Sequence, residues 1–270
     1  MGVWDTYVAR LGSSGDPHGD PLRVSRKEHI QSRMRRKITA SLSYQKVCIN
    51  KTMRQVAIID KSELDEKKLF SMPNETLPHG GIVYWNNSVW LITEKDAHDE
   101  FRTECVMRRC NHKLKWIDQD GVLQERWCIV EDGTKYLIGE RAGKFVTIGD
   151  ARVGITIGRD PDTVKIARGQ RFLIDDPDAT DVVAYQITKV NRFFHAYNGE
   201  GVFRFILNEV NRTDNDNLEL RIADYYSWFP KTERAKPDIQ TDATIEEIVE
   251  EAIERAEEEP EVIEETGVWI

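Results

Sequence analysis

Apolar residues recur with a helical period near both ends of the chain and with a period of two through the middle. Trp4, Tyr7, Val8 and Leu11 fall at helical spacing and predict a short amphipathic helix, followed by a Gly/Pro/Asp loop from Gly12 to Pro21. Ser25 to Glu28 has the form of a capping box. The helix it opens aligns Ile30, Met34 and Ile38 on one face, with Arg26, Lys27, Arg33, Arg35, Arg36 and Lys37 on the others. Between Leu42 and Trp127, strands are predicted over 47–60, 80–85, 89–96, 101–110 and 112–118, and a further strand and turn over 121–133. The plainest signal is GGIVYWNNSVWLIT (80–93), where two β-branched and aromatic runs flank Asn86-Asn87-Ser88 and predict a β-hairpin.

A second β region follows, with short strands in GKFVTIG, VGITIGRD, VKIARGQRFLIDD, VAYQITKV, FFHAYNGEGVFRFIL and LELRIADYY. Their spacing points to a barrel or sandwich. GGIVYWNNSVWLITEKD is echoed by GQRFLIDDPDATDVVAYQITKVN, matching Gly81 to Gly169 and Ile92-Thr93 to Ile187-Thr188. A duplicated β-domain accounts for the echo; so does a hairpin grammar shared by unrelated strands.

Residues 225–242 read as a Pro-containing linker. Beyond it Ile245, Ile248, Val249, Ala252, Ile253 and Ala256 form one apolar stripe on a very acidic helix that Pro260 ends. The chain closes on an apolar TGVWI carrying Trp269. The predicted class is therefore mainly β: two small β-barrel or sandwich domains with an N-terminal basic helix and a C-terminal acidic amphipathic helix. The expected divisions are an arm over 1–41, a first barrel over 42–135, a second β domain over 136–226, and a linker, acidic helix and apolar end over 227–270.

Charge sharpens this picture. The net charge of −9 conceals opposite ends: residues 1–40 hold eight Lys or Arg against four Asp or Glu, and residues 231–270 hold four against fourteen. Such ends suit orientation between neighbouring subunits, and they equally suit two solvated helices. The stripe at 245–253 wants a covering surface, on its own body or on a neighbour. No apolar run is long enough to span a bilayer, and the N-terminus lacks the pattern of a secretory signal. Cys48, Cys105, Cys110 and Cys128 do not make a disulfide framework in so long a chain and suggest synthesis in a reducing compartment.

Chemistry is scarce. No Gly-rich phosphate loop, nucleophile elbow or H-E-x-x-H string occurs. The best metal candidate is Cys105 and Cys110 with His112 and Cys128, but the five-residue offset puts the first two on opposite faces of a strand, so buried free thiols are the simpler expectation. Acidic clusters at Asp96/Asp99/Glu100 and Asp175/Asp176/Asp178 read as solvated turns. Arg33-Met34-Arg35-Arg36-Lys37 could meet phosphates, yet no base-reading motif accompanies it. No catalytic residue, cofactor or metal is expected.

WDTYVARL, SLSYQKVCIN, RQVAIID, GGIVYWNNSVWLIT, MRRCNHKLKWID and WCIVEDGTKYL together resemble neck proteins of tailed bacteriophages, of the head-closure or head–tail connector type, over roughly residues 1–140. The resemblance implies a virion protein, made in the host cytoplasm, whose homo-oligomeric ring joins portal or adaptor to tail and helps close the DNA channel. Its implied neighbours are portal, adaptor and tail proteins, with packaged DNA nearby, unread in sequence, and no membrane. The expected assembly contacts are Arg33, Arg35, Arg36, Ile245, Ile248, Val249, Ile253 and Trp269, and the loop 71–81 is a candidate channel plug. The alternatives are a tail-side minor structural or connector protein and a monomeric β-rich binding module; a pocket enzyme built on β-domain loops is a further rival.

Overall fold

The computed structural model describes residues 21–96, 101–132, 152–176, 179, 181–192, 196–229 and 245–258. The predicted helix at Trp4–Leu11, the strand in GKFVTIG, most of the linker, Pro260 and Trp269 lie outside the described residues.

Helix α1 (Pro21–Thr39) precedes strands β1 (Tyr44–Ile49), β2 (Thr52–Asp60), β3 (Glu66–Ser71), β4 (Ile82–Trp85), β5 (Ser88–Lys95) and β6 (Glu104–Arg109). Then come β7 (His112–Ile117), β8 (Leu123–Asp132), β9 (Arg152–Gly158), β10 (Arg171–Ile174), β11 (Val183–Asn191), β12 (Ala196–Tyr197) and β13 (Glu200–Val210). A single turn, α2 (Tyr225–Trp228), and the acidic helix α3 (Ile245–Glu258) complete the described elements. The chain is mainly β, as its periodicity predicts.

Two sheets hold the strands. The first is a closed barrel in the order β1-β2-β3-β6-β5-β4, sealed where β4 pairs with β1 through Cys48 opposite Tyr84 and Ile49 opposite Val83. The second runs β10-β11-β13-β9-β8-β7, with β12 paired to β13. At its two ends Trp116 of β7 stands edge-on to Phe172 of β10, ring centroids 6.4 Å apart. With β12 set aside as an insertion, both orders are first, second, third, sixth, fifth, fourth. The strands β7 and β8, expected in the first domain, pair with each other and with β9, so sheet two begins near residue 112 and not at 136. By compactness the chain divides differently again, into 1–46, 55–77 and 95–106 on one side and 47–54, 78–94 and 107–270 on the other, a division that runs through the first barrel's strands.

The repeat extends to backbone detail. Gly80 (φ +83°) donates its N–H to the Ile92 carbonyl at 2.9 Å, and Ile92 donates to Gly81 at 2.9 Å. Gly169 (φ +90°) donates to Ile187 at 2.9 Å, and Ile187 donates to Gln170 at 2.9 Å. Each glycine occupies the third place of a turn, closed by Gly81 N–H to Pro78 and by Gln170 N–H to Ala167. A positive φ at that place favours glycine. The sequence echo is therefore a structural one, with the match shifted by one residue: Gly80, not Gly81, corresponds to Gly169. Both following hairpins keep the register, Val83 opposite Trp90 and Phe172 opposite Tyr185.

Several predicted elements differ. The single run at 47–60 is a hairpin, because Asn50 and Lys51 take positive φ (48° and 65°) and turn the chain. The string LELRIADYY makes only an Asn217–Ile222 bridge before α2. Helix α1 spans Pro21–Thr39, with proline suited to a first turn, so Ser25 lies inside its bounds and not at its start. Its inner face also differs. Ile38 packs with Ala57, Phe70 and Met72, whereas Ile30 is exposed and Gln31 is buried, its amide donating to Asn74 Oδ1 at 2.6 Å. That bond is what allows a polar side chain inside.

Candidate interaction surfaces

Helix α1 presents its charge outward. Arg33, Arg35 and Arg36 are exposed, as are Arg26 and Lys37, while Met34 and Ile38 turn inward. The sequence identifies these arginines as surface groups, and the structure places them on one helix that is held to β2 and β3 by the Ile38 cluster.

The acidic helix is seated on its own body, one of the two covers its stripe allows. Ile245 packs against a core cluster of Val89, Leu91, Cys110, Ile129 and Val202, to which Ile82, Tyr84 and Trp127 also contribute. Ala252 is buried, and Ile248 and Val249 are half-buried. Ile245 is thus half-buried against its own body; an amphipathic face is satisfied by the nearest apolar surface. Of the four aliphatic residues singled out, Ile253 alone is exposed, at 42%. Glu247, Glu250, Glu251 and Glu254 share the outer surface with it.

The loop 71–81 is tied down. Ser71 Oγ donates to the Glu75 carbonyl at 2.8 Å, and Thr103 Oγ1 donates to the same oxygen at 3.2 Å. Further along, the buried His79 ring donates from Nε2 to the Thr93 carbonyl at 3.0 Å, and its backbone N–H donates to Glu200 at 3.2 Å. Met72 and Leu77 are buried as well. These contacts hold the loop in place in the folded chain.

A cavity of about 170 Å³ opens beside Trp116, Asp118, Lys165, Arg171, Asp224 and Trp228. Its charged groups have partners. Lys165 Nζ donates to Asp120 at 3.3 Å, and that bond raises its pKa. Burial works against the Asp118 charge, but the N–H groups of Val122 and Asp120 and the amide of Gln124 hold its carboxyl below the usual range. Arg171 grips Asp216 with both terminal nitrogens, at 2.9 and 2.8 Å, and reaches Asp224 at 2.7 Å. Asp216 accepts two further bonds, from the Thr213 and Asp224 N–H groups. This arrangement clamps residues 211–229 onto sheet two. Sequence reasoning missed it because Arg171 and Asp216 are far apart in the chain and belong to no motif.

All four cysteines are free and buried. Burial pushes the Cys110 thiol up to about 12 and raises Cys128 further, the opposite of what a metal ligand needs. Cys110 belongs to one core cluster and Cys128 to another. Among the described residues no group of three His, Cys, Asp or Glu side chains could hold a metal ion. No described helix is long and apolar enough to cross a membrane. Comparison with protein-family models, curated proteins and solved structures found no match.

Proposed function

We propose that this chain is a structural subunit of the neck of a tailed-phage particle, forming a ring that joins the portal or adaptor to the tail and helps close the DNA channel. The observation that carries the reading is the pair of oppositely charged helices, each docked to a β scaffold by an apolar face and each presenting its charge outward: α1 through Arg33, Arg35 and Arg36, α3 through Glu247, Glu250 and Glu254. Ring subunits meet head to tail, and such an interface needs two different surfaces that complement each other. The resemblance of the strings at 1–140 to neck proteins supports the same reading. Portal, adaptor and tail proteins are then the partners, the virion is its location, and no catalytic residue or cofactor is needed.

The test is the mass distribution of the full chain by light scattering over a wide concentration range, with negative-stain images, both alone and after adding portal-bearing heads. Rings in either arm are the expected result. A chain that stays monomeric throughout and ignores the heads overturns the proposal and favours a monomeric binding module.

A further inference from the structure

One flank of each charged helix remains to be accounted for. On α1 the residues Arg26, Ile30, Arg33 and Lys37 follow one another at four, three and four residues, which places them in a single row, and all four are exposed. Ile30 is the one apolar member and is 42% exposed. On α3, Glu250 and Ile253 are exposed three residues apart, Ile253 also at 42%. At the same spacing the sequence has glutamate at 246 and 257, so this row too runs four, three, four.

Laid antiparallel, the rows match position by position. Ile30 falls opposite Ile253, Arg33 opposite Glu250, and positions 26 and 37, both basic, opposite 257 and 246, both acidic. The inward faces are other ones, with Met34 half-buried and Ile38 buried on α1 and Ile245 half-buried and Ala252 buried on α3, so Ile30, Arg33, Glu250 and Ile253 stay exposed while both helices are seated. An apolar pair bordered by opposite charges is the usual make-up of a small interface between helices, the charges setting partner and direction.

We infer that the flank of α1 is a docking surface for α3 of a second copy of this chain, the two helices antiparallel, with Ile30 against Ile253 and Arg33 against Glu250. The inference rests on the neck reading and specifies its contact. Each exposed ion pair contributes little alone. In a closed ring every subunit makes the contact twice, once with each neighbour, so a weak contact is multiplied.

Charge reversal tests it on the full chain, by the same scattering and added-heads measurements. Arg33→Glu and Glu250→Arg should each raise the concentration needed for assembly about tenfold or more, and the double variant should restore it. A complementary test mixes an Ile30→Cys chain with an Ile253→Cys chain, the native cysteines being buried; a disulfide-linked heterodimer is expected under mild oxidation. If wild-type rings form but the single reversals leave them unchanged, or the double variant fails to restore them, the docking surface is wrong while the neck reading stands. A crosslink that closes within one chain carrying both cysteines, with none between chains, assigns the flank to the chain's own helix and overturns the second-copy occupant. If the wild type never assembles, with or without heads, the neck reading falls and this contact with it.

Discussion

The two sheets wind six strands in the same order and open their fourth strands with the same glycine turn, yet they use that turn in opposite surroundings. A Cβ on Gly80 would stand 2.0 Å from the Gly201 carbonyl oxygen, and one on Gly158 2.3 Å from the Gly80 oxygen. Around Gly169 nothing lies within 4 Å of that position. Both glycines meet a conformational demand, and only Gly80 also meets a packing demand. The residue two places on differs as well. Ile82 joins the apolar cluster that receives Ile245 of α3, and its counterpart Arg171 holds residues 211–229 by ion pairs. Each sheet thus anchors an added segment near the start of its fourth strand, one by apolar burial and one by charge.

Substitutions can separate these demands. Gly80→Ala is expected to cost about 4 kcal/mol or more, since strain at positive φ adds to a backbone overlap that no rotamer relieves; denaturant unfolding of the purified chain measures it. A loss below about 2 kcal/mol would show that Gly201 yields and that the crowding is not a constraint. Asp216→Ala should cost about 3 kcal/mol, because it leaves the largely buried Arg171 guanidinium without its bidentate partner. Gly169→Ala should cost only about 1–2 kcal/mol, the conformational part alone. Equal losses for the two glycine variants would erase the distinction between the sheets.

The two anchors should also part with pH. Burial works against ionised Asp216, but Arg171 and the Thr213 and Asp224 N–H groups lower its pKa below the usual value. A lowered folded pKa means that the carboxylate stabilises the fold fully above the unfolded value of about 4, and that this contribution fades as the pH falls below it toward the folded value. Hydrogen exchange at Tyr226, whose N–H is bonded to Asn215, should rise in that acid window in the wild type and be insensitive to it in Asp216→Ala. The Ile245 anchor is made by apolar packing. The smallest effect concerns the thiols: with Cys110 near 12 and Cys128 raised further, alkylation of the native chain at pH 8 should be negligible at both and appear on unfolding. Rapid native labelling of Cys110 would contradict its burial.

Local signals made the legible parts of the fold legible. The β4–β5 hairpin is written in its own residues, because Asn86 and Asn87 accept the positive φ (50° and 51°) of a two-residue turn between strands of branched and aromatic side chains. Strand β3 is not written that way: Glu66, Lys67 and Lys68 fill half of it, and the Lys67–Asp60 and Lys68–Glu104 ion pairs are visible only once the partners are assembled. The structural echo was half legible, since the Gly and Ile-Thr marks are shared while the flanking side chains are not. Pattern could place Arg33, Arg35 and Arg36 on a helix surface. It could not tell that Ile245 would find cover on its own body, because Val89, Cys110, Ile129 and Val202 meet only in the folded chain.

Barrel closure also has a consequence in time. The β4–β5 turn joins neighbours in sequence and can form within microseconds. The seam that closes the first barrel joins Cys48 to Tyr84, and the β9–β13 pairing joins Ile155 to Phe205, so both await the closure of long loops. Until then the edges of β1, β4 and β9 are open to pairing with another chain. A ribosome releasing such a polypeptide slowly would let the first hairpins form before their competitors in the second half exist, and refolding the whole chain at high concentration removes that protection.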